Sequence, residues 1–264
     1  MAKTIASATQ KGGVGKTTST VNLADAFVRR GRKVLLIDLD PQSNATSVLS
    51  EVNPNSLRHT TTELILDPDP AVATACIRPS RIEGLDLVAS SIRLARAAET
   101  ELIRRNTTTL SKRISLLKDV YDIILLDCPP NLGRLTGNAL CAADYYLVPL
   151  KGGDIYSLDG FDDLEMTVRE ARDDNPKLTR LGVFFNAFDG RKNVAKLLAK
   201  TANERFGVEM FKTCVPDAVA FQEAAVMSKT VLETQRDGTA AKAIVELADE
   251  ILARLGMGAQ HGQA

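Results

Sequence analysis

Short, wholly apolar runs alternate along this chain with longer stretches in which apolar residues recur every three or four positions. The runs V-L-L-I at 34–37 and I-I-L-L at 123–126 contain no polar residue, the pattern of strands buried on both faces of a sheet. Strands are predicted at 4–8, 33–38, 85–89, 121–127, 145–150 and 181–185, with a weaker one at 210–215. Helical periodicity predicts helices at 16–30, 91–105, 107–120, 131–142, 158–173, 193–206 and 238–255. Pro41 breaks the second strand, and 43–49 is expected to turn into a short helix. This alternation predicts an α/β fold: a doubly wound, mostly parallel sheet flanked by helices. No repeat or low-complexity linker interrupts it. Residues 1–255 are expected to form one domain, with the small, polar 256–264 as a flexible tail.

Composition narrows the function. The 264 residues carry 33 Lys+Arg against 33 Asp+Glu, a zero net charge that argues against a polybasic nucleic-acid coat but leaves room for a local basic face. With eight Phe, four Tyr and no Trp, the core must be built from aliphatic side chains. No apolar run approaches the roughly 18 residues that span a bilayer, and the first ten residues lack the apolar stretch of a signal peptide. Cys76, Cys128, Cys141 and Cys214 form no C-x-x-C pair, which suits buried thiols in a reducing cytoplasm.

The densest chemical signal is T-Q-K-G-G-V-G-K-T-T at 9–18, directly after the first strand and opening the first long helix. Gly12, Gly13 and Gly15 let the backbone wrap an anion, and the following helix adds its N-terminal partial positive charge. Lys16 is placed for the β- and γ-phosphates and the Thr17 hydroxyl for Mg²⁺. The strict G-x-x-x-x-G-K-[ST] pattern fails at one position, where Gln10 replaces the first glycine, and Lys11 precedes the glycine pair. On the residues alone Lys11 is a solvated loop charge.

Two further strands end in acids. Asp38 and Asp40, spaced i, i+2, point to one side at the carboxyl end of a buried strand, where α/β ligand sites lie. Capping the following turn is their plainer use. Asp127 ends a run of four aliphatic residues, as an acid holding the water shell of Mg²⁺ would. Cys128 beside it reads as a buried thiol. Asn186 ends another buried strand with an amide whose donor and acceptor suit adenine's edge.

K-G-G-V-G-K-T-T resembles the deviant Walker A motif of the ParA/MinD family of P-loop ATPases. So do D-L-D-P-Q at 38–42, D-C-P-P at 127–130 and the region V-P-L-K-G-G-D at 148–154. The resemblance spans about residues 3–255 and implies the P-loop NTPase fold with ATP and Mg²⁺ as cofactors. It implies that Lys11 reaches across a homodimer to the partner's nucleotide, stabilising charge on the transferring phosphoryl group. Asp40 then orients the attacking water and Asp38 acts near the Mg²⁺, beside Thr17 and Asp127. Nucleotide contacts fall on Lys11, Gly12, Gly13, Val14, Gly15, Lys16, Thr17 and Thr18. Asn186 and the backbone at Pro216 flank the adenine, although a plain loop serves Pro216 as well, and 131–138 becomes the switch II region. Asp154 stands for a glutamate that touches the partner's ribose, through a match needing one extra residue.

Because the nucleotide strand opens the chain, the resemblance is to ParA-type members without an N-terminal helix-turn-helix. It implies an ATP-bound dimer that binds double-stranded DNA of the nucleoid non-specifically and positions a cargo. A ParB-like or cargo-adaptor partner would stimulate hydrolysis. Such a surface needs clustered cations. Lys192, Lys196 and Lys200, spaced i, i+4, i+8, share one helix face, for which simple solvation is the equal alternative, and Arg191 falls where relatives keep a DNA-contacting arginine. Asp217, Ala218 and Ala220 stand where relatives carry a basic turn. Other clusters are Arg29/Arg30/Arg32/Lys33 and Arg104/Arg105. Residues 251–264 hold one basic residue and three glycines, so no membrane partner is expected. A MinD-like positioning ATPase and a small-molecule P-loop enzyme remain the alternatives.

Overall fold

The computed structural model describes residues 1–100, 103, 107–154, 158 and 160–258. Its elements run β1 (Lys3–Ser7), α1 (Lys16–Arg29), β2 (Val34–Asp38), α2 (Asn44–Leu49), α3 (Thr61–Leu66), α4 (Pro70–Ala75), β3 (Ile77–Pro79), β4 (Leu85–Val88) and α5 (Arg93–Ala98). Then follow α6 (Thr109–Ser115), β5 (Ile123–Asp127), α7 (Arg134–Ala142), β6 (Tyr145–Lys151), α8 (Gly160–Asp174) and β7 (Thr179–Asn186). The chain closes with α9 (Asn193–Phe206), α10 (Val219–Val226), α11 (Val231–Thr234) and α12 (Thr239–Arg254).

The seven strands form one sheet in the order β3-β4-β2-β5-β1-β6-β7, parallel except for the edge strand β3. The doubly wound fold is therefore as the apolar runs predict. Successive residues of each central strand enter opposite cores. Leu35, Ile37, Ile124 and Leu126 pack into one core with α3 to α9, while Val34, Leu36, Ile123 and Leu125 pack into the other with α1, α2 and α10 to α12. Each such side chain stabilises the fold by about 1.5–3 kcal/mol on full burial.

The same parity decides which side the polar strand ends face. Ser7, Asp38, Asp127 and Asn186 each continue the set that points toward the α1 side. Register pairing sets Ser7 beside Asp127, and Asp127 beside Asp38.

Three expectations change. The weak strand at 210–215 reduces to isolated bridges from Val183 to Met210 and from Phe188 to Pro216. The amides of Lys212 and Thr213 donate instead to the Glu250 carboxylate, at 3.0 and 2.8 Å, and leave the ladder. Helices predicted at 91–105 and 107–120 are shorter, Arg93–Ala98 and Thr109–Ser115; residues 101–102 and 104–106, with the Arg104/Arg105 cluster, lie outside the described residues. At the C-terminus Gly256 takes φ 68° after α12, and Arg32 donates to the carbonyls of Met257 and Gly258. The first tail residues are thus pinned, while 259–264 lie outside the described residues.

Candidate nucleotide site

The loop between β1 and α1 leaves the sheet at the carboxyl ends of its central strands. Gly13 and Gly15 have φ of 71° and 78°, the left-handed region that side chains avoid. Gly15 meets a second constraint: a Cβ built there would lie 1.8 Å from Nδ2 of Asn186. That nitrogen donates to the Val14 carbonyl at 2.7 Å, so the end of β7 braces the loop directly. No side chain caps α1 and no acid occupies its first turn. The N–H groups of that turn therefore lack a side-chain acceptor and suit an anion. Lys16, at the helix start, is buried.

Beneath the loop, the Thr17 hydroxyl donates to Asp127 Oδ2 at 2.7 Å. Asp127 Oδ1 is buried without a hydrogen-bond partner among the described residues. Burial pushes the Asp127 carboxyl above its usual range, against the pull of the Thr17 hydrogen bond and nearby Lys16. Burial and then repulsion from Asp127 push Asp38 up as well. Two buried carboxylates with one orphaned oxygen, beside a threonine hydroxyl, match the hard oxygen donors that Mg²⁺ takes through one or two protein groups and water. The residues present fit that ion.

Both oxygens of Asp38 accept hydrogen bonds within the protein. Its Oδ1 accepts from the Asp40 amide at 3.0 Å, and its Oδ2 accepts from both the amide and the hydroxyl of Thr46, at 2.9 and 2.7 Å. Asp40, also buried, accepts from the Gln42 amide at 2.9 Å. Thr46 is the site residue the motifs did not single out. Its only signal was a hydroxyl residue early in the short helix after D-P-Q.

Lys11 and Asp154 come together: their ion pair measures 2.5 Å and both are partly exposed. Within one protomer, then, the lysine expected to reach a partner's nucleotide lies against the acid expected to reach a partner's ribose. Pro216 bridges to Phe188, two residues past Asn186, and Ala187 between them takes φ 51°. In the 131–138 segment expected to be switch II, Thr136 Oγ1 donates to the Asn131 carbonyl at 2.6 Å. A groove of about 330 Å³ opens beside Thr17 and Thr18, walled by Asn44, Ser47, Phe221 and Lys229.

The basic residues divide. Arg29 is paired with buried Asp25, Arg30 forks onto Asp249 with both bonds 2.6 Å, and Arg32 is spent on backbone carbonyls. Those three arginines are structural. On α9, Lys196 and Lys200 stay exposed, with Lys200 3.9 Å from Glu204. Arg191 forks onto Asp189, and Lys192 lies within 4 Å of Asp189 and Asp217. The cysteines are free; Cys76, Cys128 and Cys141 are buried and Cys214 is half-buried. No described helix is long and apolar enough to cross a membrane.

Comparison with known proteins places this geometry. A family described as an AAA domain matches residues 2–180. The chain is 37% identical over 252 residues to the chromosome-partitioning ATPase Soj of Thermus thermophilus, covering 95% of this chain and 96% of that protein. It is 34% identical to the sporulation initiation inhibitor protein Soj of Bacillus subtilis, covering 96% and 99%. Among solved structures, cobyrinic acid a,c-diamide synthase of Mycobacterium smegmatis with bound ADP and magnesium superposes with a TM-score of 0.82 at 28% identity, covering 97% and 96%.

Proposed function

The chain belongs to the ParA/MinD family of P-loop ATPases, and from that premise we propose that it is a partition ATPase working as an ATP-dependent sandwich dimer on DNA. The observation that carries the ATPase part of this reading is the Thr17–Asp127 hydrogen bond under an uncapped helix N-terminus, with one Asp127 oxygen left over, and the likeness to the Soj proteins supports partition. Loop amides and Lys16 hold the phosphates. Bound at Thr17 and Asp127, magnesium would neutralise charge on the phosphoryl oxygens. Asp40 orients the attacking water. Lys11 leaves Asp154 to reach the partner protomer's nucleotide, so the full charge complement exists only in the dimer, and Asp154 is released toward the ribose.

Asn186 supports adenine over guanine. With one amide hydrogen on the Val14 carbonyl, it keeps a second hydrogen for N7 and Oδ1 for an exocyclic amine, which guanine's O6 cannot supply. Pro216 lies beside it for the base. In the dimer, Arg191, Lys192, Lys196 and Lys200 present cations to DNA phosphates in the cytoplasm, with a cargo adaptor triggering hydrolysis and release.

Mixing Asp40→Ala protein with Mg²⁺-ATP tests the dimer. Light scattering should give a mass near twice 28.5 kDa with ATP and a single chain with ADP. A monomer under both conditions would contradict the sandwich. A second reading, a small-molecule P-loop enzyme, draws on the likeness to cobyrinic acid a,c-diamide synthase and the polar groove at Asn44 and Lys229. It predicts a phosphate-accepting substrate and no ATP-dependent DNA binding.

A further inference from the structure

The turn between β2 and α2 is held from underneath. Ser43, on that turn, takes φ 57° without being glycine, a conformation that costs about 1–2 kcal/mol and persists only where its surroundings impose it. Flanking that turn on both sides is a fully buried hydrogen-bonded chain. Asp38 receives three donors: the Asp40 amide on Oδ1, and the amide and hydroxyl of Thr46 on Oδ2. The Thr46 hydroxyl in turn accepts from the Ser90 amide at 2.9 Å, just past β4. The Thr61 hydroxyl donates to the Asp38 carbonyl at 2.7 Å, fixing the same residue from the α3 side. Asp38, Thr46, Thr61 and Ser90 are all 0% exposed.

We propose that Thr46 is a positioning residue for hydrolysis: its hydroxyl ties the Asp38 carboxylate to β4, and Asp38 in turn fixes the backbone of Asp40. This rests on the reading that Asp40 orients the attacking water. The hydroxyl is the one group that both donates to Asp38 and accepts from Ser90. Without it, Asp38 Oδ2 loses a donor and the Ser90 amide its acceptor, both in the interior, where an unmet polar group disturbs its surroundings. A displacement of about 1 Å at a catalytic group lowers turnover on the order of 100-fold.

A packing role and a positioning role make opposite demands on one side chain. Thr46→Val keeps the shape and removes the hydroxyl, whereas Thr46→Ser keeps the hydroxyl and removes a methyl. Single-turnover hydrolysis of Mg²⁺-ATP and equilibrium binding of a fluorescent ATP analogue are measured for both variants. Thr46→Ala serves as the hydroxyl-free protein if the valine variant does not fold. The expected result is hydrolysis slowed about 10- to 100-fold without the hydroxyl, nucleotide affinity within about threefold, and recovery in Thr46→Ser. In the Asp40→Ala background, loss of the hydroxyl should slow the residual rate no further, because both changes remove one function. The proposal is overturned if Thr46→Val turns over like the parent, if Thr46→Ser is equally slow, or if affinity falls in step with rate. An Asp40→Ala protein that hydrolyses ATP at the parent's rate would instead overturn the role given to Asp40, and this proposal with it.

Discussion

Gly15 answers to two constraints: a left-handed backbone, and the Asn186 amide standing where its Cβ would be. Gly15→Ala is therefore expected to cost about 1–2 kcal/mol in the backbone alone and to displace Asn186 from the Val14 carbonyl. Titration with a fluorescent ATP analogue should show affinity at least ~10-fold weaker, since about 1.4 kcal/mol corresponds to a tenfold change. Unchanged affinity would show that the loop tolerates a side chain there. Local spacing singled out the glycines, Lys16, Thr17 and Asp127 in the sequence, whereas the expectation that Asp40 orients water came from the family resemblance. The bracing by Asn186, the Lys11–Asp154 pair and the Thr46 relay could not be read there, since each joins segments that only the folded sheet brings together.

At the scale of elements, α9 and α11 illustrate different uses of charge. Lys196 and Lys200 share a solvated face of α9, while Arg191 and Lys192 are already near acids. Lys196→Glu with Lys200→Glu should weaken binding to non-specific duplex several-fold and flatten its salt dependence, leaving the ATP-bound dimer mass unchanged. DNA affinity that ignores both the charge reversal and salt would remove α9 from the DNA face. On α11, Arg81 forks onto Glu233 at 2.6 and 2.8 Å and also donates to the Val48 carbonyl, joining α11 to α2. Burial raises the Glu233 carboxyl, but Arg81 and the Thr230 backbone more than reverse this and bring it to about 2, from 4.5. A depressed folded-state value stabilises the fold above pH 4.5, and this contribution is lost as pH falls toward 2. Glu233→Gln should thus melt below the parent at pH 6, with the gap narrowing in acid; a gap independent of pH would contradict the ion pair's role. The helices α3, α4, α10 and α11 escaped the periodicity because they are four to eight residues long. Their cap residues did carry a signal: capping boxes at Thr60/Glu63 and Thr230/Glu233, and Asp69 before Pro70.

At the scale of the whole molecule, the two-layered core holds the strand ends fixed, and the proposed dimer would have Lys11 exchange Asp154 for the partner's nucleotide. The fold was legible because β2 and β5 are apolar up to their terminal aspartates, the pattern of strands covered on both faces of a parallel sheet. Net charge of zero fits a reversible DNA binder, since much of the basic surface is internally paired and the remaining cations on α9 would grip weakly until two protomers combine. That claim is tested most directly by the mobility of a non-specific duplex with Asp40→Ala protein, in Mg²⁺-ATP or Mg²⁺-ADP, at low and moderate salt. Retardation with ATP alone, fading as salt rises, is the expected result. No retardation with ATP, or equal retardation with both nucleotides, would contradict the account.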